Sequence, residues 1–179
     1  VRDILEAIGE DPERGDLVDT PARVAAMCEE IFSGVNKDPA EEIRMMNPER
    51  YDQIVLVKDI PFYSMCEHLM LPFIGKCHVA YLPDSGRVTG LSKLARVTRV
   101  LSRRLQVQER LTDQIATVLM EKLKPKGVMV VIEAEHLCMS MRGVKEPGTC
   151  TVTSSVKGIF RSNRATREET LALIRDRRH

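Results

Sequence analysis

Apolar residues change their spacing several times along the chain, and each change marks an element. Residues 2–9 put Ile4, Leu5 and Ile8 on one side, which predicts a short helix stopped at Gly9. Asp19-Thr20-Pro21 predicts a second helix start, a capping side chain followed by an early proline. Val24, Met27, Cys28 and Ile31 continue it at helical spacing, and Gly34 ends it. Residues 35–50 are polar, contain two prolines and read as a connection. Ile54 to Ile60 is β-branched and strand-like. Ile74 to Leu82 alternates in part and runs into the turn signal Pro83-Asp84-Ser85-Gly86. From Leu91 the period turns helical. Leu91, Leu94, Val97, Leu101 and Leu105 share one face, and Leu111, Ile115, Val118, Leu119 and Leu123 share another, closed by Pro125 and Gly127. Val128 to Ala134 predicts a buried strand and Thr149 to Phe160 the last one. Thr166 opens a closing helix with Glu168 and Glu169 in its first turn. Strands grouped in pairs between helices predict an α+β fold, an antiparallel sheet with helices on one face.

Composition narrows the function classes. A chain of 179 residues forms one compact domain with a sizeable core. Its formal charge of +1 gives no general attraction to nucleic acid or to a membrane. No apolar run approaches the roughly 18 residues of a membrane span. Five cysteines at wide spacing, with no signal-like segment, predict a reducing, cytoplasmic setting.

Against so few cysteines and only four histidines, two clusters stand out. Cys66-Glu67-His68-Leu69 follows the first strand, on a loop, and Glu135-His136-Leu137-Cys138 ends the third. A thiolate and an imidazole from each of two segments are the donors of a zinc site with an open position. The plainer alternative is a buried cysteine beside a satisfied histidine, twice. Lys93, Arg96, Arg99 and Arg103 recur on one flank of the first central helix, opposite the leucines, and Arg142 follows the second cluster. They read either as a solvated basic face or as a cradle for a polyphosphate. The stretch from Gly86 to Lys93 is not a P-loop, because Lys93 does not directly follow the second glycine. Glu109, between the two central helices, is either a helix-start residue or a bidentate acceptor for the two donors of a guanine edge.

The motifs Ser64-Met-Cys-Glu-His68, Gly90-Leu-Ser-Lys-Leu-Ala-Arg96, Arg104-Leu-Gln-Val-Gln-Glu-Arg-Leu111, His136-Leu-Cys-Met-Ser-Met-Arg-Gly143 and Thr151-Val-Thr-Ser154 closely resemble those of GTP cyclohydrolase I. The likeness runs from Asp19 to Glu169. It implies the tunnelling fold, a four-stranded antiparallel sheet with two inserted helices plus N-terminal helices. Residues 1–50 would be an N-terminal helical segment and residues 51–179 the catalytic region of one compact domain. It implies a cytoplasmic homodecamer of two pentameric rings, with active sites where subunits meet. The implied reaction is zinc-dependent hydrolysis of GTP at guanine C8, with formate release and rearrangement to 7,8-dihydroneopterin triphosphate, the first step of folate and pterin synthesis. By motif, Cys66 and Cys138 match zinc ligands, and His68 and His136 match proton-moving histidines. Ser92 matches a residue near the ribose, and Glu109 a guanine anchor with Gln108 beside it. Lys93, Arg96, Arg142 and Arg23 match triphosphate contacts. One position departs. Where the family motif has its third zinc ligand, a histidine, this chain has Leu69, which offers no lone pair. By position His68 should point away from the metal, and Cys77 and His78 could substitute only after a rearrangement. The departure predicts weakened zinc binding and reduced or lost turnover. The alternative is a non-catalytic GTP-binding homologue acting as a scaffold or regulatory protein.

Overall fold

The computed structural model describes residues 1–46 and 51–176. In chain order the elements are α1 (Arg2–Ala7), α2 (Thr20–Ile31), a 3-10 turn (Pro39–Glu42), β1 (Met45–Met46), β2 (Val55–Cys66), β3 (Pro72–Leu82), β4 (Val88–Thr89), α3 (Leu91–Ser102), β5 (Leu105–Gln106), α4 (Gln108–Leu123), β6 (Gly127–His136), α5 (Leu137–Ser140), β7 (Cys150–Gly158), α6 (Ile159–Ser162) and α7 (Arg164–Arg175). β2, β3, β6 and β7 pair antiparallel in that order, the predicted four-stranded sheet of the tunnelling fold. A fifth, two-residue strand adds to its edge: β5 pairs parallel to the end of β2, Cys66 opposite Gln106.

That addition corrects the expected end of the first central helix. α3 stops at Ser102 instead of reaching Leu105. The Gly34 N–H donates to Arg103 O at 3.0 Å and satisfies a carbonyl that the helix leaves free. β2 also runs past its expected end at Ile60. Pro61 sits within it, paired with Lys76 on β3, and among the described residues no strand lies on the other side to need its missing N–H. The predicted cap at Asp19 does not form. Its carboxylate takes Arg23 Nη2 at 3.3 Å instead of a backbone N–H. The closing helix begins at Arg164 rather than Thr166, because Asn163 caps it by accepting from Thr166 N at 3.2 Å. The stretch read as a connection holds the 3-10 turn and β1, and its Ile43 is part of the main core. Residues 47–50 of that connection lie outside the described residues.

Helices cover both faces of the sheet, not one. Cys77, Val79, Tyr81, Val128, Val130 and Ile132 face α3 and α4, whose Leu94, Val97, Leu101, Leu111, Ile115 and Leu119 complete the core. Ala80, Met129 and Val131 face the other way, against Phe160 of α6 and Leu171 and Ile174 of α7. β6 is therefore buried on both sides, which explains why it reads as a continuous apolar run. α1 and α2 have no buried residue. Among the described residues no helix is long and apolar enough to cross a membrane.

The register fixes what lies at each end of the sheet. Phe73 at the start of β3 is opposite Ser64 on β2 and His136 at the end of β6. Tyr81, eight residues further along β3, accepts a hydrogen bond from Thr89 N, just before α3 begins. At about 3.3 Å per residue those two ends are about 26 Å apart.

Candidate active site

Both Cys-His clusters fall at the Phe73 end. Cys66 is the last residue of β2 and 5% exposed, so it belongs to the strand and not to the loop predicted for it. After it the chain turns tightly, with Met70 N donating to Cys66 O and Cys66 N to Leu71 O. Met70 takes a left-handed φ of 51° in that turn. Cys138 sits in the short α5 that follows β6. The two thiols lie against each other. Burial, and then the neighbouring Cys66 thiol, push the Cys138 pKa up, while Arg142 nearby pulls it down.

Leu69 is 47% exposed in the same turn. Its neighbour His68 does not point away from the thiols as expected. The His68 Nδ1 lies 3.7 Å from Cys66 Sγ, a contact that the tight turn brings about. Even so, among the described residues no three His, Cys, Asp or Glu side chains converge as a metal-binding group. Cys77 and His78 give no substitute. Cys77 is four residues along β3 from Phe73 and fully buried, and burial pushes its thiol up to about 12. His78 faces the opposite side of the sheet, where its Nδ1 accepts from Asp59 N at 3.2 Å. A catalytic zinc takes three protein ligands. Cys66 and Cys138 would offer two at most, and the residues present do not fit a catalytic zinc site.

His136 is held on two sides. Its ring stacks on Phe73, with centroids 4.7 Å apart and planes 1° from parallel. Its Nε2 is 2.7 Å from Gln108 Oε1. Burial lowers the His136 pKa, and the charge of Glu109 opposes that shift. Glu109 itself is exposed in the first turn of α4, one residue after Gln108. Gln108, by contrast, is 1% exposed, with its amide spent on Ile132 O, Thr151 O, Thr153 Oγ1 and His136.

Sequence reasoning missed the brace behind this end. Arg110 ion-pairs with Glu67 and also donates to Leu105 O and Gln106 Oε1. Glu67 N donates to Gln106 O at 3.0 Å. The Arg110 guanidinium holds the Glu67 carboxyl below its usual range. The turn carrying His68 is thereby tied to the start of α4, which carries Glu109. The four-residue spacing of Gln106 and Arg110 was a visible signal, but Glu67 as their partner depends on β5 pairing with β2.

The predicted phosphate contacts are not all here. Arg142 lies near Cys138. Ser92 and Lys93 are in the first turn of α3, toward the Tyr81 end, and Arg96 lies midway along that helix. Arg96 Nη1 is 3.8 Å from Glu42 and helps line a cleft of about 260 Å³ with Lys37, Arg99 and Arg103. Arg23 is on the exposed α2, paired with Asp19. One chain therefore gathers the thiols, both histidines, Glu109 and Arg142 at one end. It leaves Ser92 and Lys93 toward the other, with Arg96 between.

The whole chain has relatives. The sequence model of the GTP cyclohydrolase I family matches residues 1–175. GTP cyclohydrolase 1 of Carboxydothermus hydrogenoformans is 63% identical over 174 residues, covering 97% of this chain and 91% of that relative. GTP cyclohydrolase 1 of Caldanaerobacter subterraneus subsp. tengcongensis is 60% identical over 178 residues, covering 99% and 95%. GTP cyclohydrolase 1 of Clostridioides difficile is 58% identical over 175 residues, covering 97% and 92%.

Proposed function

The chain belongs to the GTP cyclohydrolase I family, and from that premise we propose that it binds GTP at the Phe73 end of the sheet. The reaction is hydrolysis at guanine C8 with formate release and rearrangement to 7,8-dihydroneopterin triphosphate, the first step of folate and pterin synthesis. The observation that carries this reading is that Glu109, at the start of α4, lies beside His136, which strand register puts at the same end of the sheet as the thiol pair. An exposed carboxylate at the start of α4 accepts from guanine N1–H and from the exocyclic amine. His136, held against Phe73, and His68 in the adjoining turn move protons at the imidazole ring of the base. Gln108 does not join them at the substrate, because its amide is already committed inside the chain.

Triphosphate needs cations that one chain keeps at the far end. Arg142 reaches the phosphates from the Cys138 side. Ser92, Lys93 and Arg96, with Arg23, come from neighbouring copies in a homodecamer of two pentameric rings. The distance between the two ends of the sheet supports a site shared between subunits. A reducing cytoplasm suits a site built on paired free thiols.

Leu69 sets the limit on turnover. GTP affinity rests on Glu109 and the cationic residues. Zinc rests on two thiolates and is held weakly, so the chain forms little or no product. Leu69 thereby also supports a second reading, a GTP-binding homologue that acts as a scaffold or regulator. Metal analysis and formate release, on this chain and on Leu69→His, test the first reading. The substitution is expected to bring stoichiometric zinc and at least tenfold more formate, with GTP affinity unchanged. Full zinc and full turnover in the unchanged chain would overturn the limit placed on Leu69. No turnover in a zinc-loaded Leu69→His protein would favour the scaffold.

A further inference from the structure

We propose that Gln108 is a positioning residue that locks His136 in its Nε2–H tautomer, leaving Nδ1 as the nitrogen that exchanges protons with substrate. The substrate in this statement rests on the reading above; the tautomer does not.

The orientation of the Gln108 amide is decided by its neighbours. One end lies 3.1 Å from Ile132 O and 3.0 Å from Thr151 O. Carbonyl oxygens only accept, so that end is the NH2 group. The other end is then the carbonyl oxygen, and it is the atom 2.7 Å from His136 Nε2. An oxygen that only accepts needs a donor opposite it, so Nε2 carries the hydrogen. The hydroxyls behind the amide run the same way. Thr112 Oγ1 donates to Gln108 O at 2.7 Å. Thr153 Oγ1, 2.7 Å from Thr112 Oγ1, donates there and accepts from Gln108 Nε2 at 3.1 Å. Turning the amide over would set its oxygen against two strand carbonyls. Turning the imidazole over would sweep it through the Phe73 ring stacked on it.

The other nitrogen is open. Among the described residues the one buried side-chain nitrogen or oxygen without a partner is His78 Nε2. Among the described residues His136 Nδ1 makes no hydrogen bond, and as it is not a buried unpartnered atom it reaches the site. In the neutral ring Nδ1 is a lone pair, and His136 therefore begins by taking up a proton. The water that adds to guanine C8 gives one proton to Nδ1 as its oxygen bonds to carbon and the C=N π electrons pass to the ring nitrogen, and Nδ1 hands that proton to the nitrogen. When the bond from C8 to that nitrogen breaks, its electrons stay on nitrogen, the C8 hydroxyl loses its proton as the formyl C=O forms, and Nδ1 carries this second proton to the nitrogen. In each imidazolium the Nε2 hydrogen stays donated to Gln108 Oε1, and the starting tautomer returns.

Solid-state NMR of the full chain carrying 15N-labelled histidine reads the tautomer directly. His136→Asn identifies the His136 signals among those of the four histidines. At a pH where the ring is neutral, the expected spectrum shows Nε2 bonded to hydrogen and Nδ1 bare. A bare Nε2, or signals averaged between the two forms, overturns the proposal without need of any further variant. Gln108→Met, which fills a similar volume but accepts poorly, is expected to release the lock and give mixed signals. An unchanged spectrum in folded Gln108→Met would show that Gln108 is not the cause. GTP affinity, measured on the same samples, bears on the substrate reading alone.

Discussion

Cys77 and His78 are neighbours in sequence but sit on opposite faces of β3, and His78 gives the molecule a pH dependence. It is 4% exposed, and burial holds its pKa below the ordinary value, against the pull of Asp59 and Glu133. The sign follows from linkage. Above about pH 6.5 the ring is neutral in both folded and unfolded chains. As pH falls toward the lower folded value, the unfolded chain takes up the proton first, and stability is lost by up to about 1.4 kcal/mol per pH unit for each such group. His136, also lowered by burial, acts in the same direction. The melting temperature is therefore expected to fall between pH 7 and pH 5, and His78→Phe is expected to flatten part of that fall. A flat profile in the unchanged chain would contradict the assignment. Sequence alone exposed Cys66, His136 and Cys138, because those residue types are scarce and clustered. It hid the role of Gln108, which depends on Ile132 lying opposite Thr153 across two strands.

Elements were legible wherever one period held for several turns, as in α3, α4 and β6. The misses came where a distant contact overrode local pattern. α3 ends early because a glycine from the N-terminal segment meets its last carbonyls. A Cβ on Gly34 would come within 2.0 Å of Val100 O and 2.9 Å of Arg103 O. The same junction is stitched by Arg104, which donates to Gly34 O at 2.9 Å and Lys37 O at 2.6 Å, and by Arg103 to Ser33 Oγ at 3.2 Å. Gly34→Ala must push these backbones apart, at a cost of about 1–3 kcal/mol, the range of an overpacked core. Denaturant unfolding should show that loss. Gly15→Ala, whose Cβ meets nothing within 4 Å, is expected to stay close to the unchanged chain. Equal stability of the two variants would mean that the junction yields freely.

At the scale of the molecule, the fold class and the order of the main strands followed from strand pairs alternating with helix pairs. The second covered face did not, because α6 is short and α7 is polar on average, although Phe160 and Thr170 within them are fully buried. The candidate site was legible as a set of residues but not as a place, since its members lie at both ends of the sheet. That separation makes genetic rescue between defective subunits possible. On the reading proposed above, Glu109→Ala removes the guanine anchor from one end, and Lys93→Ala removes a cation from the other. Each homogeneous assembly would bind GTP poorly at every site. When the two are unfolded together and refolded in equal amounts, about a quarter of the shared sites receive both intact halves, if the rings mix at random. Near-normal GTP affinity should return at that fraction of sites, and none should return when the variants are mixed without exchange of subunits. A site confined to one chain would show no rescue at all, so two individually defective proteins can report how many molecules it takes to make one pocket.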